Sequence, residues 1–252
     1  MAGMRGNKKP MITQSWPLSP DCTLHRYRGR AANLYLLEDR GHRTTQLVDC
    51  GMPSDVPDLI SCLKKLPELA AVFCTHFHID HIAGWLELRK TYPRCPIRFH
   101  QAARPVVLGE KRLPSPSIRD IQNVLIPCMQ ESGYVPSLFD VVKGRLYGTP
   151  YQKGFPIENV QFYSTGDDLT SGFTCLHTPG HSPDSASFYH DIAKILICGD
   201  VFLSFKGIIV PNTYTVDATA QIRTLRQIAF LGTDVLICPG HGEPGKMRPE
   251  SK

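Results

Sequence analysis

The chain has 252 residues, 42% of them hydrophobic and 20% charged, with a formal net charge of +5 at pH 7. It is long enough to bury a large core, and its composition is that of an ordinary globular protein. No run of about eighteen apolar residues occurs and residues 1–20 lack an apolar h-region, so neither a membrane span nor a secretory leader is expected.

Residues 1–20 mix Gly, Lys, Pro and Ser and are expected to form a flexible N-terminal arm, leaving 21–252 as a single domain. Segments 31–37 and 45–50 flank Glu38-Asp39-Arg40-Gly41 and predict a β-hairpin. Residues 53–66 predict a helix, with Ser54 and Asp55 at its start and Leu59, Ile60, Leu63 and Leu66 at helical spacing. The apolar run 69–74 predicts a buried strand, 82–92 a helix and 97–100 a short strand. Prolines then punctuate residues 101–166, with a helical candidate at 118–129. One hundred residues separate His81 from His181, more than a strand–helix–strand passage requires. Residues 101–166 are therefore expected to be an inserted lid, in which Phe139, Tyr147, Tyr151 and Phe155 either wall a substrate or pack the insert itself. Further on, Asp217 is expected to cap a helix reaching 231, with Ile222, Leu225, Ile228 and Ala229 as its apolar positions. Strand-rich halves with interspersed helices predict a two-sheet sandwich with outer helices.

The chemistry is concentrated in Thr75-His76-Phe77-His78-Ile79-Asp80-His81, directly behind the strand at 69–74. Three of the chain's ten histidines and one carboxylate fall within six positions. Imidazole nitrogen and carboxylate oxygen are the donors a borderline cation such as Zn2+ prefers. Three later residues share one local grammar of apolar strand, Gly or Pro turn, then donor: His181 after Thr178-Pro179-Gly180, Asp200 after Gly199, and His241 after Pro239-Gly240. Of the other histidines, His42 is expected in solvent, His177 and His190 in structural roles, and His100 is a candidate for facing substrate. Lys206 and Tyr214 are candidates for polarising a substrate oxygen. The nine cysteines show no CxxC and no paired spacing, which suits buried small hydrophobes in a reducing, cytoplasmic compartment.

His-x-His-x-Asp-His, followed by Pro-Gly-His-Ser, Gly-Asp and Pro-Gly-His-Gly, resembles the metallo-β-lactamase superfamily of binuclear metallohydrolases. The resemblance runs from about Asn33 to His241. It implies a four-layer αβ/βα sandwich of two mixed β-sheets with outer helices. It further implies two divalent ions, Zn2+ by ligand type with Fe or Mn accommodated: His76, His78 and His181 on one, Asp80, His81 and His241 on the other, and Asp200 bridging. Asp49 matches an early strand-end Asp that would orient a ligand imidazole from behind; an ordinary polar strand end is its competing role. The implied activity is metal-dependent hydrolysis of small-molecule esters, thioesters or lactones by a hydroxide shared between the ions, with Asp80 handling its proton. Asp200 is a carboxylate that true β-lactamases of the superfamily lack, and Leu203 stands where its lactonases tend to carry Tyr. Eleven residues follow His241, so the helical peptide-binding domain of the glutathione-thioester hydrolases is not expected. Alternatives are a phosphodiesterase or nuclease of the same superfamily and an iron-dependent sulfur dioxygenase. Scattered basic residues give no nucleic-acid surface, so the expected partner is a small-molecule substrate, with no membrane involved.

Overall fold

A computed structural model describes residues 11–135, 137–140, 142 and 155–247. Strands β1 (Met11–Pro17), β2 (Cys22–Arg28), β3 (Asn33–Asp39) and β4 (Thr44–Val48) pair antiparallel in sequence order. The expected hairpin is thus β3–β4. The expected flexible arm is corrected from residue 11 onward, because Met11–Pro17 pairs with Thr23–Arg28 and closes the sheet edge. From β4 the sheet becomes parallel through β5 (Glu68–Phe73), β6 (Ile97–His100) and β7 (Val160–Tyr163). Parallel neighbours require crossovers, and α1 (Val56–Leu63) and α3 (Trp85–Thr91) supply two of them. Between β5 and α3 lies the one-turn α2 (Ile79–Ile82). A second sheet runs β14-β13-β11-β10-β9-β8, with β12 paired to β11. Its strands are β8 (Asp168–Leu169), β9 (Phe173–His177), β10 (Ala186–His190), β11 (Ile195–Phe205), β12 (Ile208–Pro211), β13 (Leu236–His241) and β14 (Gly245–Lys246).

Alternation along single strands builds the layers. In β3, Leu34 and Leu36 join the core shared with α1 and α3, while Tyr35 and Leu37 face the other way into the core between the sheets. In β11, Ile195 and Ile197 meet that inter-sheet core, and Leu196 and Cys198 face Ile228 of the Ala218–Ala229 helix. A strand buried on both faces reads as a continuous apolar run, which is why β3 and β11 show no polar alternation. The result is the expected four-layer sandwich. Asp217 caps the last helix through a 2.9 Å bond from Ala220 N. Its buried face is Ala220, Gln221, Thr224 and Ile228, whereas Ile222 is 52% exposed, correcting the expected apolar stripe. Apolar character marked Ile222 in the sequence, but its position on the helix turns it to the exposed face.

The segment 101–166 divides. Ala103, Val106 and Val107 enter the main core, and β7 is a regular strand of the first sheet, so both ends of the expected insertion belong to the scaffold. Its centre forms a helix over 118–132 with a π-helical turn at Ile121–Leu125. Val124 and Cys128 seat this helix on Leu203 and Tyr214. The buried Asp140 carboxylate then ties the segment down, accepting hydrogen bonds from Ser54 N (2.9 Å), Ser54 Oγ (2.8 Å), Ser137 Oγ (2.9 Å) and the Tyr134 hydroxyl (3.1 Å). Phe155 packs edge-on against Phe77 and Phe99, so it is core and not a substrate wall. Tyr147 and Tyr151 lie outside the described residues. All nine cysteines are unpaired thiols, and among the described residues no helix is long and apolar enough to cross a membrane.

Candidate metal centre

The donors gather where strands of both sheets end at one edge. After β5 the chain turns into His76 and His78, and α2 carries Asp80 and His81; His181 follows β9, Asp200 lies inside the continuous strand β11 and not at the strand end expected of it, and His241 ends β13. Two glycines make the convergence possible. At Gly199 φ is +50° and an added Cβ would lie 2.7 Å from the Thr75 side chain. At Gly240 an added Cβ would lie 2.3 Å from Asp200 Oδ1 and 2.7 Å from His81 Cε1, so no side chain fits between the donors.

All seven expected donors come together in two adjoining groups. Atoms of His76, His78, His181 and Asp200 lie within 4.8 Å of one another, as do those of Asp80, His81 and His241. Asp200 touches both groups. Its Oδ2 lies 3.9 Å from His76 Nε2, 3.7 Å from His181 Nε2 and 3.4 Å from His241 Nε2, and its Oδ1 lies 3.3 Å from His81 Nε2. Asp80 Oδ2 is 3.2 Å from His241 Nε2. Among the described residues, His76 Nε2, His81 Nε2 and Asp200 Oδ1 are buried without a hydrogen-bond partner. Such atoms cost on the order of 1–3 kcal/mol each when left unsatisfied, and a cation among them would remove that cost. The donor set therefore fits two divalent ions.

The opposite ring nitrogens are held from behind, which fixes the orientation of each imidazole. His81 Nδ1 meets Asp49 Oδ2 at 2.8 Å, His181 Nδ1 meets the Tyr214 carbonyl at 2.8 Å, and His241 Nδ1 meets the Ala31 carbonyl at 3.0 Å. Asp49 also accepts from Thr75 N (2.7 Å) and Thr75 Oγ1 (2.9 Å), and that hydroxyl lies 3.0 Å from His76 Nδ1. One carboxylate thus orients a histidine of each group, one directly and one through Thr75. Asp49 does so at φ +60°, a left-handed conformation that Asp tolerates better than most residues. Replacing Asp49 by Ala is expected to weaken metal binding roughly 10- to 100-fold, measured by chelator competition. Unchanged affinity at both sites would show that Asp49 is only a strand end.

Electrostatics suit the same purpose at His76 and His78, whereas at His81 and His241 the effect of burial is outweighed by the Asp200 carboxylate, which holds both well above the ordinary histidine range, so a metal there must displace their protons. Burial, with the neighbouring imidazoles His81 and His78, pushes His76 well below the ordinary histidine range, and burial with His181 pushes His78 down to about 3. These rings are neutral at pH 7, with lone pairs free for a metal. Burial raises the Asp200 carboxyl, but the charges of His241 and His81 outweigh it and hold the group well below the usual carboxylate range.

His78, Asp80 and His241 also line a cavity of about 370 Å³ whose far walls are Pro114, Leu125, Met129 and Tyr214. The Tyr214 ring lies parallel to His78, with centroids 5.9 Å apart, so this candidate does reach the site. Lys206 does not: it sits exposed in the β11–β12 turn, its backbone N–H bound to Glu131. His100 stacks on His177 at 4.4 Å and is absent from the cavity wall, which corrects its expected place. Sequence reasoning missed Asn212, which donates to the Asp200 carbonyl at 2.9 Å, and Asp184, which accepts from Phe77 N at 2.8 Å and so pins the His76–His78 turn. An Asn in a loop and an Asp 107 positions from its partner carry no local signal. Tyr134 and Asp140 were missed for the same reason.

A family model described as the metallo-beta-lactamase superfamily matches residues 27–241. The chain belongs to that superfamily. This member is 22% identical over 239 residues to the probable metallo-hydrolase YflN of Bacillus subtilis, covering 88% of this chain and 84% of YflN. It is 26% identical over 209 residues to a hydroxyacylglutathione hydrolase of Pectobacterium carotovorum, covering 82% of this chain but only 61% of that enzyme. In fold it is similar to the crystal structure of the BLEG-1 B3 metallo-beta-lactamase, with a TM-score of 0.58, 23% identity, and coverage of 92% and 93% of the two chains.

Proposed function

We propose that this superfamily member is a binuclear metallohydrolase that cleaves a small-molecule ester, thioester or lactone. The observation that carries the reading is the Asp200 carboxylate lying 3.3–3.9 Å from four imidazoles drawn from both donor groups. His76, His78 and His181 would hold one ion, Asp80, His81 and His241 the other, with Asp200 shared. The nitrogen and carboxylate donors favour Zn2+ and also accept Fe or Mn. Bound there, the ions supply Lewis acidity for a substrate oxygen and lower the pKa of water to about 7.

The chain's own residues would do the rest. Asp80 faces the cavity, with a side chain 25% exposed while His81 beside it is fully buried. Its carboxylate is placed to take the proton of an attacking water as oxygen bonds to the acyl carbon. The alcohol or thiol then leaves with the proton that Asp80 took. Tyr214, whose hydroxyl donates to the Pro114 carbonyl at 3.4 Å, stands at the cavity wall and would hold a substrate oxygen by exchanging that bond for one to the substrate. Similarity to an enzyme named for an acylated thiol supports acyl chemistry. Phosphodiester cleavage is less well supported, because among the described residues no lysine or arginine lines the cavity. The unpaired cysteines suit a reducing, cytoplasmic setting.

The test is metal analysis of the purified protein, followed by a panel of p-nitrophenyl esters, thioesters, lactones and bis-p-nitrophenyl phosphate. Two ions per chain and acyl hydrolysis are expected, and Asp80→Asn should lower kcat roughly 10²-fold with a smaller change in KM. A single iron per chain with oxygen consumption in place of hydrolysis would replace this reading by the sulfur-dioxygenase one.

A further inference from the structure

We infer that the cavity above the metal centre is an acyl pocket, and that the substrate carries an uncharged aliphatic acyl group of medium length. This rests on the hydrolase reading above for the chemistry, and on the cavity alone for the choice of substrate. One wall is a helix face: Leu125, Cys128, Met129 and Ser132 follow one another at i, i+3, i+4 and i+7, and all four line the cavity. The π-helical turn at Ile121–Leu125 ends where this face begins, a place where such turns recur near functional sites. Met52 and Ile79 also line the cavity, packed with Tyr134. The lining around Asp80 is therefore largely apolar.

The helix is set at this height by Leu203, which is buried against Val124 and Cys128. A leucine three residues beyond the shared carboxylate thus serves as a seat for the wall, and no hydroxyl from that position enters the cavity. The polar groups that do line it are largely engaged. Asp140 accepts four hydrogen bonds, one of them from Tyr134. Among the described lining residues the charged groups away from the metal donors amount to this one carboxylate, so no lysine or arginine there would pair with an anionic substrate arm. A volume of about 370 Å³ lies at the small end of ligand sites, roughly 300–1,000 Å³. It suits a chain of several methylenes better than a bulky polar conjugate.

The experiment compares p-nitrophenyl acetate, butanoate and hexanoate as substrates of the metal-loaded protein, and measures calorimetric binding of the uncleaved amides of the same acids. Each methylene buried should raise kcat/KM and amide affinity about fourfold, so hexanoate should exceed acetate on the order of a hundredfold. S-Lactoylglutathione, polar and carrying two carboxylates, should fall far below hexanoate. Met129→Trp should reduce the hexanoate-to-acetate ratio at least tenfold, with metal content and melting temperature recorded beside it. If esters are cleaved but neither series responds to chain length, the acyl pocket is wrong and the hydrolase stands. If amide affinity climbs with length while no ester is cleaved, the pocket stands and the hydrolase reading falls. If lactoylglutathione is the better substrate, the inference is overturned.

Discussion

Replacing Asp200 by alanine is expected to yield a folded protein that no longer holds two metal ions and whose kcat/KM falls roughly 10³-fold or more. Asp200 is the one donor that reaches both groups, approaching His76, His181 and His241 with Oδ2 and His81 with Oδ1. On the proposed reading its removal would take a ligand from each ion and, among the described residues, the one carboxylate that approaches histidines of both groups. The backbone around it is held independently, since Asn212 Nδ2 bonds the Asp200 carbonyl at 2.9 Å and β11 continues on both sides. Loss of metal should therefore precede any loss of fold. Asp200→Asn keeps the shape without the charge and should retain at most one ion, separating the steric from the electrostatic contribution. Plasma emission for metal content, beside circular dichroism for fold, decides the matter. A folded alanine variant that still carries two ions would remove the bridging role.

Asp140→Ala should be the most damaging substitution distant from the metal donors. The carboxylate is fully buried and accepts hydrogen bonds from both ends of a contact between the inserted segment and Ser54 at the entry to α1. Hydrogen bonds to a charged group contribute about 1.5–3 kcal/mol each. They act together here, and the loss falls first on the local attachment of the segment. The expected result is faster proteolysis within residues 108–142 and a several-fold rise in KM, with two ions still bound. Asp140→Asn should lie between, because an amide oxygen accepts fewer of the four donors. If proteolysis and KM are unchanged and only the global melting temperature moves, the contact is structural cement and not a hold on the cavity wall.

The parts of this protein that are local in chain were legible in its sequence. The run His76 to His81 lies within one turn and one helix start, so its chemistry is written in consecutive letters, and the Pro-Gly turn before His181 marks a strand end by steric rules acting over three or four residues, whereas Gly199 and Asp200 proved to lie inside the continuous strand β11. The β3–β4 hairpin, α1 and the capped last helix follow from the same short-range physics. Where two positions with similar letters differ only in what lies opposite, the sequence was silent. Ile222 and Ile228 are both isoleucines of one helix, yet only Ile228 meets the sheet. Phe155 and Tyr214 are both aromatics near the site, yet Phe155 fills the core against Phe77 and Phe99 while Tyr214 faces His78.

The sequence by itself determined the superfamily and named seven candidate donors, because motif spacing is a property of neighbours along the chain, and its strand-rich halves with interspersed helices implied the layered architecture. Only the tertiary structure decided that Asp49 supports a histidine of each donor group, that the middle of 101–166 forms the cavity wall while its ends join the scaffold, and that Asp140 clasps Ser54 across 86 positions. Each of these depends on a pair of residues far apart in chain, and such contacts form only when two buried surfaces choose one register.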